Sequence, residues 1–223
     1  MNIAFVPVRA GSKSIPLKNI KEFCGKPLVY WVVNALQQSK NIDVIYVATD
    51  GEQIKQAVLD FGFSKVKVYD RNAENAVDTA STESVMLEFL NKKNFDDKDL
   101  FILVQATSPL TQTKDFDGAL EKYINDGADS LLTGVRNKRF FWNEDGTPVN
   151  YDYMKRPRRQ DFKGWILENG AFYINSIGNI KKYGNRLSGK TVIYEMEEFT
   201  SFEIDEPDDW VILEALMRRH VLK

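Results

Sequence analysis

Three cations, Arg9, Lys13 and Lys18, fall within ten residues near the start of the chain, in the stretch Val8-Arg9-Ala10-Gly11-Ser12-Lys13-Ser14-Ile15-Pro16-Leu17-Lys18-Asn19. Small residues between them let backbone N–H groups approach an anion closely. The cations would neutralise it with charge-assisted hydrogen bonds. A triphosphate needs both features. The spacing is neither that of a phosphate-binding P-loop nor that of a dinucleotide fingerprint, which argues against a dinucleotide oxidoreductase. The competing reading is a solvated turn carrying surface lysines.

Near the other end stands Phe202-Glu203-Ile204-Asp205. In an extended segment, alternation puts both carboxylates on one face. Such a pair suits a hard cation such as Mg²⁺, which also keeps waters and phosphate oxygens. An exposed acidic strand end is the alternative. Four further stretches could contribute chemistry. Asp50, in Thr49-Asp50-Gly51, suits a helix cap better than a ligand contact. Asp70-Arg71 and Asp78-Thr79-Ala80-Ser81-Thr82-Glu83 read as a helix start whose N–H groups and hydroxyls could equally meet the edge of a pyrimidine. Gln105-Ala106-Thr107-Ser108-Pro109-Leu110 offers amide and hydroxyl groups to a polyhydroxylated ligand. In the basic run Lys155-Arg156-Pro157-Arg158-Arg159-Gln160, one arginine could clamp a carboxylate, although such runs are usually solvated faces.

No one of these stretches decides the matter, but a single site could use all of them if the fold brings them together. Apolar runs at Ile3–Val8, Val44–Val47, Val66–Tyr69, Leu100–Val104 and Ser130–Val135 alternate with amphipathic helical spacing, as at Leu28, Trp31, Val32, Ala35 and Leu36. This reads as βαβ units around a mostly parallel sheet covered on both faces. Ligands in such a sheet bind beyond the carboxyl ends of the strands, and there the loops after Val8, Val47, Tyr69 and Val104 carry the polar residues. After Arg136 the pattern changes. Asp145-Gly146-Thr147-Pro148 is a turn signal, and the segment to about Trp165 reads as an insertion with hairpin character. Strands at Ala171–Ile174 and Thr191–Tyr194, a short helix over Ile177–Tyr183 and a last helix opened by Pro207 are expected.

The 223 residues, 43% hydrophobic and 28% charged, are long enough for one domain with a substantial core. A net charge of −2 argues against a general nucleic-acid binder. The single Cys24 fits a reducing compartment, and no apolar run is long enough to cross a bilayer. A cytoplasmic protein with neither a nucleic-acid nor a membrane partner is expected. Lone His220 reads as a dipole partner at a helix C-terminus, not a catalytic base.

Taken together, VRAGSKSIPLKN at 8–19, ATDG at 48–51, DTAS at 78–81, QATSPL at 105–110, RRQ at 158–160, ENGAFYI at 168–174 and FEID at 202–205 resemble the acylneuraminate cytidylyltransferase family, the CMP-sialic acid synthetases. The resemblance implies one nucleotidyltransferase domain over 1–223. Its fold would be α/β, a Rossmann-like three-layer nucleotidyltransferase fold with a small dimerisation insertion at about 136–165. It implies Mg²⁺-dependent transfer of CMP from CTP to the anomeric hydroxyl of a 2-keto-3-deoxy acid sugar, by a homodimer. Arg9, Lys18 and Asp205 would be catalytic. Arg9, Ser12, Lys13, Lys18 and Asn19 would hold the triphosphate, and Arg71, Ala80 and Thr82 the cytosine. Gln105, Thr107, Arg158 or Arg159, Asn169 and Tyr173 would meet the sugar. Asp205, assisted by Glu203, would hold the metal. Thr111 and Leu167 stand where arginines are frequent, Ala10 and Ser14 where glycine is common, and Glu203 where an aspartate is usual. The sugar is therefore open among sialic, legionaminic, pseudaminic and octulosonic acids. A sugar-phosphate nucleotidyltransferase of the same fold and a non-catalytic nucleotide-binding module are the other readings.

Overall fold

Alternating side chains along the central apolar strands are buried on both faces, and the helices divide accordingly. The structure, a computed structural model, describes residues 1–11, 14–75 and 80–222. The strands are β1 (Asn2–Pro7), β2 (Glu22–Phe23), β3 (Lys26–Pro27), β4 (Val44–Thr49), β5 (Val66–Asp70), β6 (Leu100–Val104), β7 (Ser130–Asn137), β8 (Trp165–Ser176) and β9 (Thr191–Met196). The helices are α1 (Leu28–Gln38), α2 (Glu52–Leu59), α3 (Thr82–Lys92), α4 (Thr113–Asn125), α5 (Ile177–Tyr183) and α6 (Pro207–His220).

Seven strands form one sheet in the order β5-β4-β1-β6-β8-β7-β9. The first four run parallel, as does the β7–β9 pair, while β8 is antiparallel to both of its neighbours. The fold is thus Rossmann-like and mostly parallel. In β1, Ala4 and Val6 point into a core shared with α1, α2 and α4. Ile3 and Phe5 point into a second core under α3 and α5. There Phe89 is fully buried, with ring centroids 4.8 Å from both Phe5 and Tyr46 and 5.0 Å from Tyr69. A third cluster packs α6, through Trp210, Leu213 and Met217, against Ile15, Phe23, Leu28, Leu110 and Ile204. It ties the N-terminal loop to the segment just before α6.

The change of pattern after Arg136 has a simple cause. The β7–β8 pair is itself an antiparallel hairpin, and residues 138–164 are the excursion at its tip. The turn signal is realised there: the Asn143 N–H donates to the Thr147 carbonyl, and Trp142 bridges Pro148. Strand β8 begins at Trp165, earlier than the apolar run at Ala171 suggests. Its first half carries Glu168, Asn169 and Gly170, whose polarity hides a strand that pairs with β7. Strands β2 and β3 are two residues each, too short to show a periodicity in the sequence. The hairpin between them turns at Cys24 and Gly25, both with positive φ, a conformation that favours glycine at the second position. Among the described residues no helix is long and apolar enough to cross a membrane.

Because Phe89 is surrounded by aromatic rings that cannot collapse into its space, Phe89→Ala should cost about 3–5 kcal/mol of unfolding free energy. Urea denaturation measures this directly. A loss below about 1 kcal/mol, the level of an average point mutation, would mean that Phe89 is not packed among these rings.

Candidate functional site

At the carboxyl ends of β1, β5 and β6 the chain leaves the sheet in three loops, and a cavity of about 290 Å³ opens between them. Arg9, Gly11, Lys18 and Asn19 line it from the first loop and Arg71 from the second. Ala80, Ser81, Thr82 and Val85 line it from the start of α3, and Gln105, Ala106 and Thr107 from the third loop. Eight expected residues (Arg9, Lys18, Asn19, Arg71, Ala80, Thr82, Gln105 and Thr107) are therefore brought to one cavity. Ser12, Lys13, Asp78 and Thr79 lie outside the described residues.

The first loop is held from behind. The Val8 N–H donates to the Ala48 carbonyl at 2.8 Å, and the Ala10 N–H donates to Asp50 Oδ1 at 3.0 Å. The expectation that Asp50 caps the next helix is corrected: α2 has no side-chain cap, and the carboxylate turns back to the loop. A Cβ on Gly51 would sit 2.9 Å from the Ala10 Cβ, so glycine there permits this close approach. Asn19 is buried and donates through Nδ2 to the Arg9 carbonyl at 3.1 Å. Leu17 has φ of 50°, a left-handed conformation that costs a branched residue energy. It turns the chain so that Ile15 is buried while Lys18 faces the cavity.

Lys18 Nζ donates to the Ile204 carbonyl at 2.6 Å and to Asp205 Oδ1 at 3.2 Å. The Ile204 N–H in turn donates to the Thr107 carbonyl at 2.9 Å, which locks the acidic segment to the third loop. Burial raises the Glu203 carboxyl above its ordinary value, the charges of Asp205 and Asp209 add to this, and Lys18 and Thr107 oppose it. Asp209 is committed to the start of α6, accepting from the N–H groups of Asp205 at 3.0 Å and Glu206 at 2.7 Å. Among the described residues no three metal-ligating side chains converge. What the segment offers is two hard oxygen donors, one of them destabilised by its like-charged neighbour. That set fits a divalent cation which takes its remaining ligands from water and phosphate.

On the opposite wall, the Arg71 N–H donates to the Thr49 carbonyl at 3.1 Å, and Nη2 donates to the Asn75 carbonyl. Among the described residues its buried Nε has no hydrogen-bond partner. Burial pushes the guanidinium below its ordinary value, Asp50 and Glu88 oppose this, and Arg9 adds to it. The expected helix start is present: Ser81 caps α3 by accepting from the Ser84 N–H at 3.1 Å. The other N–H groups of that first turn have no partner within the helix.

The sugar residues separate. Gln105 and Thr107 are on the cavity wall. Tyr173 is not; its hydroxyl donates to Glu168, and its ring lies 4.9 Å from the Arg186 guanidinium. Asn169 is buried away from the cavity, with Nδ2 donating to the Thr200 carbonyl at 3.1 Å and Oγ1 at 3.2 Å. Arg158 and Arg159 are exposed on the excursion, paired with Asp161 at 2.7 Å and Glu198 at 3.0 Å, and do not line the cavity of their own chain. His220 ends α6 and stacks on Phe199 at 4.2 Å. Asp50 and the Lys18–Ile204 bond carry no local sequence signal, because each joins residues far apart in the chain.

Residues 3–222 match the family model described as Cytidylyltransferase. N-acylneuraminate cytidylyltransferase A of Danio rerio is 35% identical across 97% of this chain and 50% of its own length. N-acylneuraminate cytidylyltransferase of Streptococcus agalactiae is 28% identical across 94% of this chain and 51% of its own length. The chain thus spans about half the length of these curated relatives. Pseudaminic acid cytidylyltransferase of Campylobacter jejuni is 30% identical over 78% of each chain. Among solved structures, a CMP:2-keto-3-deoxy-manno-octonic acid synthetase complexed with CTP superposes with a TM-score of 0.72 at 18% identity, over 99% of this chain and 100% of that one. It shares the fold. On the match over residues 3–222, this chain belongs to the cytidylyltransferase family.

Proposed function

We propose that the chain transfers CMP from CTP to the anomeric hydroxyl of a 2-keto-3-deoxy acid sugar, a sialic acid or related nonulosonic acid, releasing pyrophosphate. The relatives named for N-acylneuraminic and pseudaminic acid support this sugar class. The observation that carries the reading is the 3.2 Å pair of Lys18 and Asp205, a cation from the first loop and an acid from the last beside one cavity. Arg9, Lys18 and Asn19, with Ser12 and Lys13, would hold the triphosphate. Arg71, Ala80 and Thr82 would meet the cytosine, and Gln105 and Thr107 the sugar. Asp205, with Glu203, would hold Mg²⁺, which when bound supplies charge stabilisation at the phosphates. The sugar hydroxyl oxygen would bond to the α-phosphorus as the bond to the β-phosphate breaks. The protein forms no covalent bond in this step, so positioning and neutralisation by Arg9 and Lys18 carry the catalysis.

A homodimer is part of the proposal. Phe141, Trp142, Tyr153, Met154 and Trp165 on and beside the excursion are exposed, a surface that a second copy would cover. Pairing of this kind would let Arg158 or Arg159 meet a sugar carboxylate in the other subunit. A cytoplasmic location fits an enzyme that uses CTP and carries one unpaired cysteine.

A pyrophosphate-release screen of CTP, UTP, ATP and GTP against 2-keto-3-deoxy acids should show turnover with CTP and at least one nonulosonic acid. Silence across every CTP pair would refute the activity. Arg9→Ala and Asp205→Asn should each lower kcat on the order of 10²–10³; a change in KM alone would reduce their part to uniform binding. Glu203 supplies a check on the metal. An acid whose folded pKa is raised opposes folding once it ionises, with the full penalty above the folded pKa and none below the unfolded one. Glu203→Gln should therefore raise Tm in EDTA at pH 8, with the gain fading toward pH 4, the region of an unperturbed carboxyl. Added Mg²⁺ should raise the wild-type Tm more than that of the variant. Equal responses to Mg²⁺ would remove Glu203 from the metal site.

A further inference from the structure

Behind the cavity, with no atom on its wall, lies a carboxylate that accepts four hydrogen bonds. Glu88, on the second turn of α3, has a side chain only 6% exposed. Its Oε1 accepts from the Tyr69 hydroxyl at 2.7 Å, the Asn72 N–H at 3.0 Å and Lys92 Nζ at 3.1 Å, and its Oε2 accepts from Asn75 Nδ2 at 2.6 Å. Burial alone would raise this carboxyl, but the donors outweigh it and bring it down to about 2. It is therefore ionised throughout the working pH range. Three of its four donors belong to the end of β5 and the turn that follows it, the segment that carries Arg71.

The geometry points to Glu88 as a positioning residue for Arg71, and through it for nucleotide recognition. The Arg71 Nη2 is tethered to the Asn75 carbonyl, and the Asn75 side chain is tethered to Glu88. The other wall of this part of the cavity, from Ala80 to Val85, opens the same helix that carries Glu88. One carboxylate thus fixes the distance between the Arg71 segment and the helix start facing it. It also faces the guanidinium charge from behind. The Arg71 Nε, a buried donor without a partner among the described residues, is in a state that costs free energy until an acceptor arrives. Holding that donor in place before the ligand binds is a preorganisation that adds affinity without adding a contact. None of the four donors to Glu88 lines the cavity, so the effect on nucleotide is indirect.

The inference rests on the cavity being the nucleotide site, and two measurements keep the two claims apart. Glu88→Gln retains an acceptor for Tyr69 but loses the charge and one of the two carboxylate oxygens. CTP binding by calorimetry, with Mg²⁺ present, should weaken about tenfold or more, the scale for losing a hydrogen bond to a charged group. In steady state the KM for CTP should rise while the KM for the sugar stays put. Tyr69→Phe, which removes one donor and keeps the carboxylate, should move the CTP KM in the same direction by less; it serves as the second reading if Glu88→Gln folds poorly. Leu120→Ala, in the core on the far face of the sheet, controls for general loss of stability and should leave CTP affinity unchanged. Hydrogen exchange on the ligand-free protein should be faster at residues 71–75 in Glu88→Gln and unchanged in α4. A wild-type protein that binds no CTP would defeat the nucleotide site itself, and the exchange result would then decide the tether alone. Unchanged exchange at 71–75, unchanged CTP affinity in Glu88→Gln, or an equal rise in KM from Leu120→Ala, would overturn the role given to Glu88.

Discussion

The site depends on a segment near residue 204 being held against a loop near residue 18, and packing, not the ion pair, does most of the holding. Lys18 and Asp205 meet at 3.2 Å, but Asp205 is exposed, and ion pairs open to water contribute only about 0–1 kcal/mol. Beneath them, Ile15 and Ile204 are both buried with Leu110 and Trp210. Each large apolar side chain taken from water is worth about 1.5–3 kcal/mol. Alternation then does the rest: with Ile204 inward, the side chains of Glu203 and Asp205 fall on the other side of this segment. The charges that matter for chemistry are thus placed by neighbours that carry none. The 2.6 Å bond from Lys18 to the Ile204 carbonyl adds direction to that placement.

The sheet explains why one end of the molecule collects the polar loops. Four parallel strands from β5 to β6 all finish on the same edge, and each exit carries part of the cavity or its support. Because β8 runs antiparallel between β6 and β7, the chain returns along the sheet and delivers a long excursion at the β7–β8 tip. The basic run 155–160 sits there, remote from the cavity of its own chain. That separation makes sense of arginines whose partners within the chain are surface carboxylates.

Most of the elements were legible because their periodicity is local. The helix expected over Ile177–Tyr183 occupies those residues, and the runs at Val44, Val66 and Leu100 are strands. The loops at strand ends were legible for the same reason: parallel topology fixes where side chains converge before any contact is known. What stayed hidden was relational. Asp50 reads as a helix cap in sequence because Gly51 and Glu52 follow it; only folding shows that the Ala10 N–H, forty residues away, is the better donor. Asn169 sits in a motif-like stretch, yet its amide is consumed by Thr200. The first half of β8 is masked by its own polar residues.

Two carboxylates whose partners no local pattern shows stand behind the cations and share a logic. Asp50 holds the backbone of the first loop, and Glu88 holds the segment of Arg71. Both favour the charged guanidinium of Arg71 against the burial that opposes it. Coulomb attraction falls off with distance and with the dielectric between charges, so acids placed behind a cation orient it while leaving its front free for an anion. A cation held this way reorganises little when charge develops in front of it, which is the condition for electrostatic catalysis. The same acids in front would compete with phosphate for the cations. The exception is Asp205, which already touches Lys18. In the proposed reaction a divalent cation would draw that carboxylate away and leave the contact to a triphosphate.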